Sequence, residues 1–294
     1  MAAGDIVRWI SNVSTAWSTG ANWDSGSAPA AGEIAVFDGT GQANVDGGDE
    51  STTYQLRAIT TQPEYTGNIG ASGNPLIHNI DTSSTNKESF LTIRGTGDFY
   101  WQAGGAGVGG DEDYSALVDT DGNGIVFLDS DTSTGEALTV YVKSGNVTIA
   151  GSLKTQLVLA GKRANVTLNE HADEPGVIWV IDGTLTSART LATTVAVVMD
   201  GGIWVQTGLV GVPVSIHSAA RWDYRPPSAV TVGTISLYLN GTLDLSNSNF
   251  VTGWATYVRG PLAREIGKAK QGLLALPATA GLYMDLRDEY PDGE

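Results

Sequence analysis

The chain has 294 residues, enough for one large domain or two modest ones, and its 16 basic and 32 acidic residues give a formal charge of −16 at pH 7. This balance excludes a general nucleic-acid binder, because too few cations are present to neutralise a run of phosphates. The absence of cysteine excludes disulfides, thiolate metal sites and a cysteine nucleophile, while 38 glycines and only 16% charged residues favour strands and turns over helices.

The first 50 residues carry an aromatic pattern of their own. Trp9, Trp17 and Trp23 precede Pro29 and the run Gly32–Phe37. We predict that residues 1–50 form a cap, in which large aromatic side chains close the open end of a stack of strands. The alternative is that these tryptophans line a sugar-binding site.

The run from Trp17 to Asp24, followed by Pro29 and Gly32–Phe37, resembles the opening coil of β-helical passenger-type proteins. It is similar to segments of bacterial autotransporter-like repeats and of β-helical phage virion proteins. The resemblance covers only the N-terminal tenth of the chain. It implies a β-helix and, through the virion proteins, a structural role of the capsid decoration or cement type.

A repeat of about 19 residues runs through the second half of the chain. Its small turn residues are Gly145, Ala164, Gly183, Gly201, Ala220 and Gly241, at spacings of 19, 19, 18, 19 and 21. Apolar side chains follow two positions after each turn residue, at Val147, Val166, Leu185, Ile203, Trp222 and Leu243. A second alternating segment precedes each turn and includes Trp179 and Ile181. Both sets are predicted to point into a core.

Alternation with a period of two inside a longer fixed period is typical of a β-solenoid, in which stacked coils share one core. We therefore predict an all-β fold, a right-handed β-helix with coils of about 19 residues, over residues 51–258. A β-sandwich is the main alternative, but hairpins would not keep so even a spacing.

Residues 259–294 depart from the repeat and are predicted to form a C-terminal arm. The segment combines basic and apolar residues and follows an aromatic stretch. We predict that this region contacts sister subunits or a shell protein through Trp254, Tyr257, Arg259, Arg264, Lys268, Lys270 and Leu273. A frayed chain end is the alternative.

Asp119, Asp121 and Asn123 match the first half of a calcium loop, with oxygen ligands at alternate positions and Gly124 nearby. The position that carries a bidentate glutamate in such loops is Ser130 here. An Asp- and Asn-rich turn stabilised by its own side chains explains the same residues. Calcium is therefore a weak candidate, and no cofactor is predicted.

The predicted register places Asp223 and Asp244 next to each other on adjacent coils, beside Arg221 and Trp204. Two carboxylates on one strand face are what a polysaccharide-cleaving β-helix needs. A solvated strand face also produces such a pair often. The three histidines, at positions 78, 171 and 217, fall in different units, so they predict neither a metal site nor a Ser-His-Asp triad.

The acidity is concentrated in residues 1–140, which carry 4 basic and 19 acidic side chains, against 12 and 13 in residues 141–294. The nearly neutral half is the better candidate for packing on a partner. No apolar run approaches the ~18 residues of a membrane span, and the first residues show no signal-peptide pattern. We expect no contact with a membrane.

These observations predict a non-enzymatic virion structural protein, made in the host cytoplasm, that decorates a phage capsid. Its expected partners are the major capsid protein or other virion proteins, and its expected oligomer is a homotrimer. One alternative is a receptor- or glycan-binding tailspike or adhesin module that uses Trp204 or Trp222. Another is a polysaccharide-cleaving enzyme on the same fold, because the fold alone does not decide function.

Overall fold

The computed structural model describes residues 5–47, 56–78, 88–103, 113–122, 124–129, 137–151, 156–171, 175–192, 196–228, 230–238, 240–245, 251–260 and 263–266. One short 3-10 helix, Gly20–Asn22, lies near the start of the chain. The strands are, in chain order, β1 (Ile6–Arg8), β2 (Ile34–Phe37), β3 (Ala58–Thr61), β4 (Leu76–His78), β5 (Glu88–Ile93), β6 (Phe99–Ala103), β7 (Asp113–Asp119), β8 (Ile125–Asp129), β9 (Ala137–Ile149), β10 (Gln156–Leu168), β11 (Val177–Val180), β12 (Thr184–Ser187), β13 (Ala196–Met199), β14 (Ile203–Gln206), β15 (Val214–Ile216), β16 (Arg221–Tyr224), β17 (Val230–Leu237), β18 (Thr242–Asp244), β19 (Val251–Arg259) and β20 (Arg264–Ile266).

These strands form two parallel stacks that face each other across one core. The first sheet runs β1-β2-β3-β5-β7-β9-β10-β11-β13-β15-β17-β19. The second sheet runs β4-β6-β8-β9-β10-β12-β14-β16-β18-β20. The long strands β9 and β10 contribute their first halves to the first sheet and their second halves to the second sheet. The predicted all-β solenoid is confirmed.

The core consists of the inward side chains of both sheets, which repeat from coil to coil. On the first sheet Val140, Leu157 and Ile178 lie in one row, and each is fully buried. Burial of a side chain of this size contributes about 1.5–3 kcal/mol. A single coil has no second layer to cover these side chains, so each coil depends on its neighbours.

The predicted register is wrong by one residue at the fourth unit of the repeat. Leu185 pairs with Trp204 rather than with Ile203, and the turn that was assigned to Gly201 aligns on Gly202, which has a φ of 71°. Two consecutive glycines offered both registers, and a spacing of 19 selects the second. A slip of one residue exchanges the two faces of a strand. Ile203 is consequently 40% exposed, and Trp204 is fully buried in the core.

The N-terminal tryptophans pack together at the first coil. Trp23 lies 5.1 Å from Trp9 and 4.8 Å from Trp17 between ring centroids, in edge-on arrangements, and all three rings are buried. Trp9 and Trp23 also form an antiparallel bridge, and the Asp24 amide donates to the Arg8 carbonyl. The chain thereby folds back along the outer edge of β1 and covers backbone groups that an edge strand leaves unpaired.

At the opposite end, β19 pairs with β17, and β20 pairs with β18. β20 lies in the segment predicted as an arm, where it adds a strand to the second sheet. Residues 267–294 lie outside the described residues. The boundaries of the cap (1–50), the solenoid (51–258) and the arm (259–294) remain predictions.

Candidate functional site

An apolar row crosses the outer face of the first sheet, where solvent-facing polar residues are the usual pattern. The pairing of β7, β9, β10, β11 and β13 places its members side by side on successive coils, in the order Leu117, Tyr141, Val158, Trp179 and Val198. Tyr141 is 42% exposed and Trp179 is 39% exposed, while Val158 between them is 5% exposed. We call Tyr141, Val158 and Trp179 the aromatic strip.

Polar groups flank the aromatic strip and tie down its rings. The Trp179 indole N–H donates to Asp200 Oδ2 at 2.8 Å, across to the next coil. The Tyr141 hydroxyl lies 3.4 Å from Oε1 of Gln156. A held indole with an exposed ring face is a rigid surface on which a flat apolar group can pack.

The sequence reasoning missed this site, because it placed Trp179 and Ile181 in the core. The core positions of β11 are Ile178 and Val180, which are fully buried, and Trp179 and Ile181 are each 39% exposed. The pairing of Val158 with both Tyr141 and Trp179 fixes this register. Continuing the phase of Leu157 and Leu159 by 21 residues gives Ile178 and Val180, and this was the available signal.

The tryptophans that the glycan-binding alternative relied on are not accessible. Trp204 and Trp222 are fully buried, and their rings stack in the core at 5.1 Å between centroids with an interplanar angle of 11°. The N-terminal tryptophans are equally buried and present no ring face to a sugar. Any stacking site for a sugar therefore needs other residues.

The second sheet brings Asp223 and Asp244 together, as the sequence predicted. Both are buried on adjacent strands, β16 and β18, in direct register. Arg225 binds Asp223 with two hydrogen bonds of 2.9 and 2.6 Å, and Arg221 forms an ion pair with Asp244. The hydrogen bonds to Asp223 raise the pKa of Arg225. Trp204, predicted beside them, points into the core instead.

This arrangement favours a structural ion-pair cluster over a catalytic one. A general acid must hold a proton at working pH, and an arginine in contact with a carboxylate favours its ionised form. Each buried carboxylate is neutralised by one guanidinium, so the cluster joins two coils without net charge. The hypothesis of a polysaccharide-cleaving enzyme gains no support from this geometry.

The predicted calcium loop is described only in part. Asp119 lies 3.9 Å from the Lys143 ammonium and accepts a hydrogen bond from Ser144, and Asp121 pairs with Arg163. Asn123 lies outside the described residues. Within the described ranges no group of three or more His, Asp or Glu side chains is arranged to hold a metal ion. The calcium site stays a prediction, with basic residues beside both described carboxylates.

His78 is the one histidine that the core encloses among the described residues. Its Nδ1 accepts from the Trp101 indole at 3.2 Å, and its Nε2 lies 3.1 Å from both the Leu56 carbonyl and Ser89 Oγ. Burial lowers the pKa of His78 to about 4. Ser89 is buried as well, so this Ser-His pair has no access for a substrate.

The predicted contact residues at the C-terminal end are only partly described. Trp254, Tyr257 and Arg259 lie on β19, whose backbone pairs with β17. Arg264 begins β20 and is exposed. The remaining members of the prediction, Lys268, Lys270 and Leu273, lie outside the described residues.

Comparison with protein-family models, with curated proteins and with solved structures finds no match to this chain. Among the described residues no helix is long and apolar enough to cross a membrane.

Proposed function

We propose that this chain is a non-enzymatic structural protein of a phage virion, which decorates the outer surface of a head and stabilises it. The observation that carries the proposal is the difference between the two ends of the solenoid. At the N-terminal end, the segment around Trp23 covers the edge of β1. At the C-terminal end, β19 and β20 each pair with one strand among the described residues.

A last strand with one neighbour presents a row of backbone donors and acceptors that another chain can pair with. This end also lies in the half of the chain whose charges nearly balance, so a partner meets less repulsion there than at the acidic N-terminal half. The predicted contact residues on β19 and β20 belong to the same end. Binding alone supplies the function, because a ligand that holds assembled subunits stabilises the assembly by mass action.

The test uses shells assembled from the major capsid protein encoded in the same genome as this chain. Co-sedimentation of the purified protein with these shells should reach saturation, and the melting temperature of the shells should rise. Arg264→Glu should weaken binding by about tenfold or more, because it places a negative charge at the proposed contact. Lys162→Glu makes the same charge change at an exposed position of β10 and should leave binding unchanged. Absence of co-sedimentation would overturn the proposal.

A further inference from the structure

The outer face of the first sheet carries an exposed aromatic surface that decoration of a capsid does not require. We propose that the aromatic strip, Tyr141, Val158 and Trp179, is a binding site for a neutral glycan chain. This inference does not rest on the virion proposal, since it concerns a side face of the solenoid rather than its C-terminal end.

The spacing of the strip suits a ligand with repeated flat apolar faces. Tyr141 and Trp179 are two coils apart, so their backbones are separated by about 10 Å, which is twice the usual distance between strands. Val158 fills the space between them and is itself almost covered. The two rings therefore form one continuous shallow surface, on which successive sugar rings can lay their C–H faces.

Polar side chains next to the rings supply the hydrogen bonds that sugar hydroxyls need. Asp200 receives the indole N–H on one carboxylate oxygen, and Gln156 presents its amide one position before Leu157 on β10. Ser215 and Ser236 continue the row of the strip on the next two coils beyond Val198. Few polar groups around an apolar platform is the usual composition of a specific small-ligand surface.

The charges around the strip favour a neutral ligand over an anionic one. Lys143, two residues after Tyr141, lies 3.9 Å from Asp119, so its charge is partly balanced. Asp200 adds a carboxylate directly at the Trp179 ring. A nucleic acid or a sulfated glycan would meet this carboxylate without a cluster of cations to offset it.

The indole is already fixed before any ligand arrives. The bond from Trp179 Nε1 to Asp200 holds the ring across two coils, and the parallel ladders of β10, β11 and β13 hold the backbone beneath it. A ring that is ordered in the free protein loses little conformational freedom on binding, which favours affinity.

Trp179 gives the experiment a direct optical signal. Seven of the eight tryptophans have described side chains, and six of these are buried: Trp9, Trp17, Trp23, Trp101, Trp204 and Trp222. The probes are soluble neutral oligosaccharides of glucose, galactose, mannose and N-acetylglucosamine, added to the full chain. At least one should change the tryptophan emission and give a saturable heat of binding by calorimetry.

Trp179→Ala and Tyr141→Ala should each weaken that binding by about fivefold or more. Ile203→Ala removes an equally exposed apolar side chain from the second sheet and should leave binding unchanged. Circular dichroism and the melting temperature confirm that each variant folds. Binding of the chain to shells should be unaffected by Trp179→Ala, which separates this inference from the virion proposal.

Three outcomes would overturn the inference. The first is that no oligosaccharide of the set binds at millimolar concentration. The second is binding that survives both substitutions on the aromatic strip. The third is a change of mass in solution on Trp179→Ala, which would show that the strip is a contact between copies of this chain or with another protein.

Discussion

His78 shows how a single buried group makes the stability of this protein depend on pH. Because an indole N–H only donates, the bond from Trp101 requires an unprotonated Nδ1, and the neutral ring carries its proton on Nε2 toward the Leu56 carbonyl. A second proton would have to displace the Trp101 bond and place a charge in the core. The pKa of about 4 in the folded protein, against 6.5 for an ordinary histidine, reflects this cost.

We expect the contribution of His78 to be complete above pH 6.5 and to be lost as the pH falls toward 4. Below pH 6.5 the unfolded chain takes up the proton and the folded chain does not, so the free energy of unfolding falls by about 1.4 kcal/mol per pH unit, or about 3 kcal/mol in total. Urea denaturation between pH 7.5 and 4 measures this. His78→Gln should flatten the slope relative to the wild-type protein, whereas His217→Gln should keep it. Equal slopes for the wild-type protein and His78→Gln would contradict the assignment.

Trp204 and Ile203 provide a test of the register at two adjacent positions. Truncation of a fully buried tryptophan costs about 3–5 kcal/mol, so Trp204→Ala should destabilise the protein by that amount. Ile203→Ala removes a side chain that is 40% exposed and should cost less than about 1 kcal/mol. Chemical denaturation of the two variants decides the question. The opposite order would restore the register that the sequence spacing first predicted.

At the scale of elements, the ion pairs between β16 and β18 join two coils on the outer side of the second sheet. Asp244 is buried, and its partner Arg221 comes from the neighbouring coil. Loss of the carboxylate leaves a half-exposed guanidinium without this partner, so Asp244→Ala should cost about 2 kcal/mol in the free energy of unfolding. Arg221→Ala should cost less than this.

A double-mutant cycle isolates this interaction. The double variant should be less destabilised than the sum of the single variants, with a coupling energy of about 1 kcal/mol. Thr242→Ala, on β18 two residues before Asp244, serves as a control and should show no coupling with Arg221→Ala. Additive effects of the first pair would mean that the contact adds nothing to stability.

The element scale also shows where the sequence was sufficient. The pairing of Gly145, Ala164 and Gly183 along the second sheet follows the predicted spacing, because each unit keeps the same length and the same alternation. The spacing failed where two glycines adjoin, and it failed at Trp179, where a large aromatic residue mimics a core position. Alternation identifies the two faces of a strand, but it does not say which face is inward when both carry apolar side chains.

At the scale of the whole molecule, the candidate surfaces depend on contacts between coils, which the sequence does not display. The aromatic strip needs the exact pairing of β9, β10 and β11, and the ends of the rod differ only because Trp23 folds back on Trp9. Asp223 and Asp244 were predictable, because their separation of 21 residues equals the length of that coil. Their arginine partners were predictable only in part, since Arg225 follows the strand and turns back to Asp223.

The central claim is that the C-terminal end of the solenoid mediates assembly, and the mass in solution tests it most directly. Light scattering should be measured on the full chain and on a chain that ends at Ile266, which retains every described strand. We predict a trimer for the full chain and a monomer for the shortened chain, with the same melting behaviour for the solenoid. An equal mass for both chains would contradict the claim.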